Sequence, residues 1–185
     1  MKAKINKVTI ELIQGDIFAV SVDSVVHATD PNLSISPALA SKAGADIEAQ
    51  TKRLGWCDVG SAVISGAGNM ENTQHIIHTV GPRWGEGSER GKLANATWSS
   101  LLRAEDAELG SIALPAISVG ANGYPLENCA VTMLTKIVDF TFENLKSLRT
   151  IILCLADENQ LEVFQQEFKR QLDALKDAGE GKVRV

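Results

Sequence analysis

Apolar and polar positions change rhythm several times along this chain, and each change marks an element. Val8 to Ile13 (VTIELI) alternates apolar and polar residues, the two-residue period of a strand with one buried face, and the run stops at Gly15-Asp16. Ser24 to Ala28 (SVVHA) reads as a short apolar strand. Ser36-Pro37 then opens a helix, because a serine hydroxyl suits the N-cap and proline's fixed φ and missing N–H suit the first helical position. That helix is expected to stop at Gly44, and a second to run from Ala45 to Arg53 before Gly55. Ser61 to Ser65 (SAVIS) and His75 to Val80 (HIIHTV) read as strands on either side of Gly66-Ala67-Gly68-Asn69. Leu93 to Ala107, Leu126 to Phe142 and Asn159 to Leu175 carry the helical period. Thr150 to Leu155 (TIILCL) is an unbroken apolar run of the kind buried on both faces. Residues 176–185 are polar and expected to fray. With no repeat or linker, residues 1–175 are expected to form one three-layer α/β/α domain around a central mixed, mostly parallel sheet.

One junction between elements carries candidate chemistry. The apolar run Ile112 to Ile117 breaks into Ser118-Val119-Gly120-Ala121-Asn122-Gly123-Tyr124-Pro125 and then into a helix. Two glycines and an asparagine between a strand and a helix leave backbone N–H groups free to point outward, which is how main chain holds phosphate. No basic residue lies in this loop, so any anion there is held by amides. An ordinary strand-to-helix turn explains the same residues, and the loop alone leaves both readings open. In α/β folds ligands sit outside the carboxyl ends of the strands. Gly15-Asp16-Ile17 follows the first long strand; Asp16 suits an exocyclic amine, although a turn or N-cap aspartate is the simpler reading of that triplet. Ala28 to Asn32 is a second polar connection, and Ser65 to Asn69 a third, small enough for a ligand to approach the backbone. Neither a GxGxxG fingerprint entering a helix nor a Walker loop is present.

Composition narrows the classes. A formal charge of -5 argues against a general nucleic-acid binder but leaves room for a small anion held locally. Cys57, Cys129 and Cys154 are odd in number and widely spaced, and His27, His75 and His78 lack metal-ligand spacing. The expectation is a reduced, intracellular protein with no metal and no cofactor, without signal peptide or membrane span.

The blocks Gly15-Asp16-Ile17, Val22-Asp23-Ser24-Val25-Val26, Ile76-Ile77-His78-Thr79-Val80-Gly81-Pro82 and Ala113-Leu114-Pro115-Ala116-Ile117-Ser118-Val119-Gly120 through Gly123-Tyr124-Pro125 resemble, in that order, those of a macrodomain. The resemblance runs from Val8 to Leu172. It implies a mixed sheet between helices and a cleft for ADP-ribose. By this likeness Asp16, with Ile17, holds the adenine amine, and Asn159 beside Asp157 lies near the adenine. Ser118, Val119, Gly120, Ala121, Asn122, Gly123 and Tyr124 wrap the diphosphate, with Tyr124 flanking the far ribose. Ser36, Ser65 and Gly66 complete the expected ligand-binding set.

Hydrolytic macrodomains carry Asn-Ala-Ala-Asn after the second strand, then a glycine run and an acidic residue. The matching residues are His27-Ala28-Thr29-Asp30; the glycine run is missing, Ser36 stands at the acidic position, and Pro37 removes an amide donor. Ser36 has no basicity to activate water, and His27 and His78 read more simply as core histidines than as catalytic ones. The expectation is therefore a reader of ADP-ribose, free or as the terminal unit on modified proteins, with no catalytic residues. The alternative is an ADP-ribosyl or O-acyl-ADP-ribose hydrolase using Asp30 or an activated water; a degenerate interaction scaffold is the third reading. Val25 to Thr29, the short path to Ile35, the Gly120-to-Pro125 block and Trp84-Gly85 look most like the macrodomain of macro-type histone variants. That likeness implies a histone fold and basic linker upstream and a nuclear, chromatin setting. The partners expected of the domain itself are ADP-ribose and ADP-ribosylated proteins, with neither direct nucleic-acid binding nor membrane attachment. Outside that branch the location would be cytoplasmic or nuclear.

Overall fold

In the computed structural model, which describes residues 1–185, strand β2 (Val8–Gln14) buries Val8, Ile10 and Leu12 and leaves the residues between them half-covered. That is the alternation the sequence requires. Two strands flank it. On one side β7 (Thr150–Leu155) runs parallel, with Ile10 beside Ile151 and Leu12 beside Leu153. On the other, β1 (Lys2–Ile5) runs antiparallel, joined through Asn6 and Lys7. The remaining strands are β3 (Ser24–Thr29), β4 (Ala62–Gly66), β5 (His75–Val80), β6 (Ser111–Leu114) and β8 (Val183–Arg184), in the sheet order β4-β5-β3-β6-β7-β2-β1-β8. Pairings are parallel from β5 through β3, β6 and β7 to β2, and antiparallel at β4, β1 and β8. The sheet is thus mixed with a parallel centre, as expected.

Helices α1 (Pro37–Ala43) and α2 (Asp46–Leu54) cover one face, where Leu39, Ala43 and Ile47 pack with Val25, Ile76 and Ala113. Helices α3 (Glu89–Asp106), α4 (Leu126–Phe140) and α5 (Glu158–Ala178) cover the other, placing Leu93, Met133, Ile137, Phe164 and Phe168 against Val26, Ile77, Ile112 and Leu153. The local signals at α1 act as read: Ser36 Oγ accepts the Leu39 N–H at 3.2 Å, Pro37 is the first helical residue, and Gly44 ends the helix at φ +80°.

The expectation of a frayed tail is corrected. α5 continues to Ala178, the chain turns back, and Val183 and Arg184 pair with Ile5 and Lys4 as β8. The turn is tied where the Lys182 N–H donates to Asn6 Oδ1 at 3.1 Å. β6 ends at Leu114, earlier than the apolar run suggests, because Pro115 has no N–H with which to extend the ladder. The carboxyl ends of β2, β3, β5, β6 and β7 fall along one edge of the sheet.

Candidate ligand-binding cleft

A cavity of about 780 Å³ opens at that edge, within the range of small-molecule sites. Three segments wall it: the exit of β3 from His27 to Ser36, the exit of β5 with Gly81, Arg83 and Glu86, and the loop after β6 with Ser118, Gly120, Ala121 and Asn122.

The loop after β6 is shaped by its own backbone. Ser118 sits at φ +69°, in the left-handed region, and Gly123 at φ +71°. The Tyr124 N–H donates to Ser118 O at 2.9 Å and the Gly123 N–H to Gly120 O at 3.0 Å, which closes the loop. The amides of Ser118, Gly120, Ala121 and Asn122 donate to no group of the protein. Ser118 Oγ is buried and also without a partner. It packs over Gly81, where an added Cβ would overlap that oxygen and lie 2.6 Å from Ile117 Cγ2. A buried hydroxyl and four amides left open beside one cavity form a hydrogen-bonding surface suited to an anion.

The opposite wall is built from β3. Asp30 accepts the Ser34 N–H at 3.3 Å. The Ser34 side chain above all, then the backbone amides of Ser34 and Asn32 and the charge of Arg83, hold its carboxyl below the usual carboxylate range despite some desolvation. Glu86 pairs with Lys92 at 3.5 Å, and Arg83 has no salt-bridge partner. His27 lines the cavity from inside the sheet, with Nδ1 3.2 Å from Nδ1 of His78. Burial lowers His27 to about 4 and, together with the neighbouring His27 ring, lowers His78 to about 3. Both are neutral at neutral pH.

Comparison with known proteins places this architecture. The family model of the Macro domain matches residues 26–133. The chain belongs to the Macro domain family. An uncharacterized protein of Sulfurisphaera tokodaii is 36% identical over 172 residues, covering 88% of this chain and 92% of that relative. A macro domain-containing protein of Listeria monocytogenes serotype 4b is 34% identical over 168 residues, covering 85% and 95%. Among solved structures, the Oceanobacillus iheyensis macrodomain with ADP superposes at a TM-score of 0.89 with 26% identity, over 94% of this chain and 97% of that one. A mutant of that macrodomain, with ADPR, superposes at 0.85 with 27% identity, over 94% and 98%.

The sequence-expected residues of this macrodomain divide into four groups. Ser36, Ser118, Gly120, Ala121 and Asn122 line the cavity. Asp16, Ile17 and Asn159 lie at the carboxyl ends of β2 and β7, on the same edge but outside the cavity wall, and Asp16 Oδ1 accepts the Phe18 N–H at 3.0 Å as the cap of a single 3-10 turn. Val119 and Gly123 belong to the loop without facing the cavity.

The fourth group, Ser65, Gly66 and Tyr124, is displaced, and the expectation for it is corrected. β4 runs antiparallel to β5, so Ser65 and Gly66 finish at the amino end of β5, beside His75 and Ile76, across the sheet from the cleft. The Gly66 N–H is taken by Gln50 Oε1 at 2.7 Å. Tyr124 turns into the core with 3% of its surface exposed, its ring edge-on to Trp84 at 5.1 Å, and Trp84 is the aromatic residue left on the surface there. The sequence reading passed over Arg83 and Glu86 as cleft residues; their signal is position, directly after the His-Thr-Val-Gly-Pro block that ends β5.

Proposed function

We propose that this macrodomain binds ADP-ribose, free or as the terminal unit attached to proteins, and holds its diphosphate on the loop after β6. The observation that carries the reading is the set of unpartnered amides at Ser118, Gly120, Ala121 and Asn122 around a cavity, with the orphaned Ser118 hydroxyl among them. The Oceanobacillus iheyensis structures with ADP and ADPR support it. Asp16 is assigned the adenine amine through the carboxylate oxygen that its Phe18 contact leaves open.

The same geometry favours binding over turnover. Ser36 spends its hydroxyl oxygen on the Leu39 amide, and Pro37 offers no N–H. Asp30 supports a second reading, a hydrolase, because it lines the cavity and is held ionised. Turnover of an ADP-ribosylated substrate that Asp30→Ala abolishes while binding persists would establish that reading. The narrower likeness to macro-type histone variants rests on motif residues alone; the relatives above are archaeal and bacterial, and a chromatin setting forms no part of the proposal.

Calorimetric titration with ADP-ribose, beside AMP and NAD, tests the assignment. Binding of ADP-ribose at micromolar or tighter affinity, lost in Asp16→Ala, is the expected result. No heat and no thermal shift with any of the three would leave a fold without the site.

A further inference from the structure

A row of hydrogen-bonding groups runs inward from the cleft. The Ser36 amide lies 3.5 Å from His27 Nε2, His27 Nδ1 lies 3.2 Å from His78 Nδ1, His78 Nε2 lies 2.8 Å from Ser65 Oγ, and Ser65 Oγ lies 2.9 Å from Gly66 O. An amide only donates and a carbonyl only accepts, so the two ends orient everything between them. Ser36 N–H donates to His27 Nε2, His27 Nδ1–H to His78 Nδ1, His78 Nε2–H to Ser65 Oγ, and the Ser65 hydroxyl to Gly66 O. Each ring then carries one proton.

In that arrangement one nitrogen alone has room for another. A second proton on His78 would set its Nδ1–H against the Nδ1–H of His27, 3.2 Å away. His27 Nε2 is engaged only by the long contact to the Ser36 amide, at the wall of the cavity. A ligand phosphate that attracts the Ser36 N–H frees this nitrogen and brings negative charge toward it.

We propose that His27 is a ligand-contacting residue of the cleft, and that its Nε2 takes up a proton when a diphosphate draws off the Ser36 amide. The inference rests on the ADP-ribose reading and adds to it a cation supplied on binding, in a cavity whose wall otherwise contains the single permanent cation Arg83. The surroundings decide the sign. From the exit of β3, Asp30 favours the imidazolium; from β5, His78 accepts the His27 Nδ1–H and opposes a charged neighbour. β4 contributes the uncharged Ser65, whose carbonyl lies 3.2 Å from His75 Nδ1, and the 3-10 turn contributes the Phe18 ring at 6.2 Å. α1 and α2 turn Leu39, Ala43, Ile47 and Thr51 inward and keep Lys42, Asp46, Glu48, Lys52 and Arg53 at the surface. In the free protein burial wins and the ring is neutral; beside a bound diphosphate the balance reverses.

Calorimetry with ADP-ribose in paired buffers of low and high ionisation enthalpy reads the proton directly. Net uptake near about pH 5.5 that fades toward about pH 8, with affinity rising up to about tenfold for each pH unit lowered between the bound and the free His27 pKa, is the expected result. His27→Asn abolishes the uptake. Because that variant removes a buried partner, nitrogen-15 spectra of the wild-type histidines provide a second readout, in which the His27 ring passes from neutral to imidazolium as ADP-ribose is added. Binding without proton uptake, uptake that survives His27→Asn, or a His27 ring that stays neutral overturns the inference and leaves the ADP-ribose reading intact. No binding of ADP-ribose overturns both.

Discussion

Lowering the pH from about 7 to about 5 protonates histidines in the unfolded chain and leaves folded His27 and His78 neutral. The two rings are 4% and 0% exposed, and burial takes them from 6.5 down to about 4 and about 3. Across that interval the unfolded state binds more protons than the native state. The stabilisation is therefore complete above about pH 6.5 and is lost as the pH falls toward the folded values. At roughly 1.4 kcal/mol per unit, each ring withdraws about 2 kcal/mol by about pH 5 and the pair about 4, against a total stability of about 5–15 kcal/mol. For a domain of this size that lowers Tm by about 10 °C. The depressed carboxylates act lower in pH: the Ser34 side chain holds Asp30 down and the Arg170 side chain holds Glu167 down, so their contributions fade as the pH falls below about 4.5. Thermal unfolding followed by circular dichroism in half-unit pH steps measures the slope, and His27→Asn, which removes one titrating ring, should halve it. A wild-type Tm that stays flat between about pH 7 and about pH 5, or an undiminished slope in the variant, would refute the reasoning.

Other residues give sharper local tests. Gly81→Ala should cost about 1–3 kcal/mol in urea unfolding, because the new Cβ meets Ser118 Oγ and Ile117 Cγ2 and the loop must shift. Ser118→Ala should leave urea stability unchanged or raise it by about 1 kcal/mol, since the buried hydroxyl has no partner to lose, while weakening ADP-ribose in titration; a clear loss of stability would show that the hydroxyl is already engaged. Asp16→Asn keeps a cap for the Phe18 amide and Asp16→Ala does not, so only the alanine variant should lose about 1 kcal/mol of stability. Both should lose affinity if the carboxylate reads the adenine amine, and equal affinity of the asparagine variant would remove that role.

Much of this architecture is legible in the chain because the signals are local. His75–Val80 and Thr150–Leu155 are strands over the residues their apolar runs mark, and Ser36-Pro37 and Gly44 bound α1 as their cap chemistry requires. What escapes local reading depends on pairing. β1 alternates Lys2 and Lys4 with Ala3 and Ile5 over too short a span to stand out, and β8 becomes a strand only because β1 is there to accept it. Strand direction misplaces Ser65 and Gly66: nothing in Ala62–Gly66 says that β4 runs against β5, and direction decides which edge of the sheet its end reaches. Register likewise hides the histidine pair, since His27 and His78 stand 51 residues apart and meet only because Ser24 aligns with His75. Tyr124 turns inward because Trp84 covers it from a separate loop, a packing choice its own neighbours do not encode.

The central claim is that open main-chain amides after β6 hold an ADP-ribose diphosphate, and amide nitrogen–proton spectra recorded during ADP-ribose titration test it most directly. The account predicts that the signals of Ser118, Gly120, Ala121 and Asn122 move furthest and saturate together. Saturable binding that leaves those four amides in place and shifts others would contradict it.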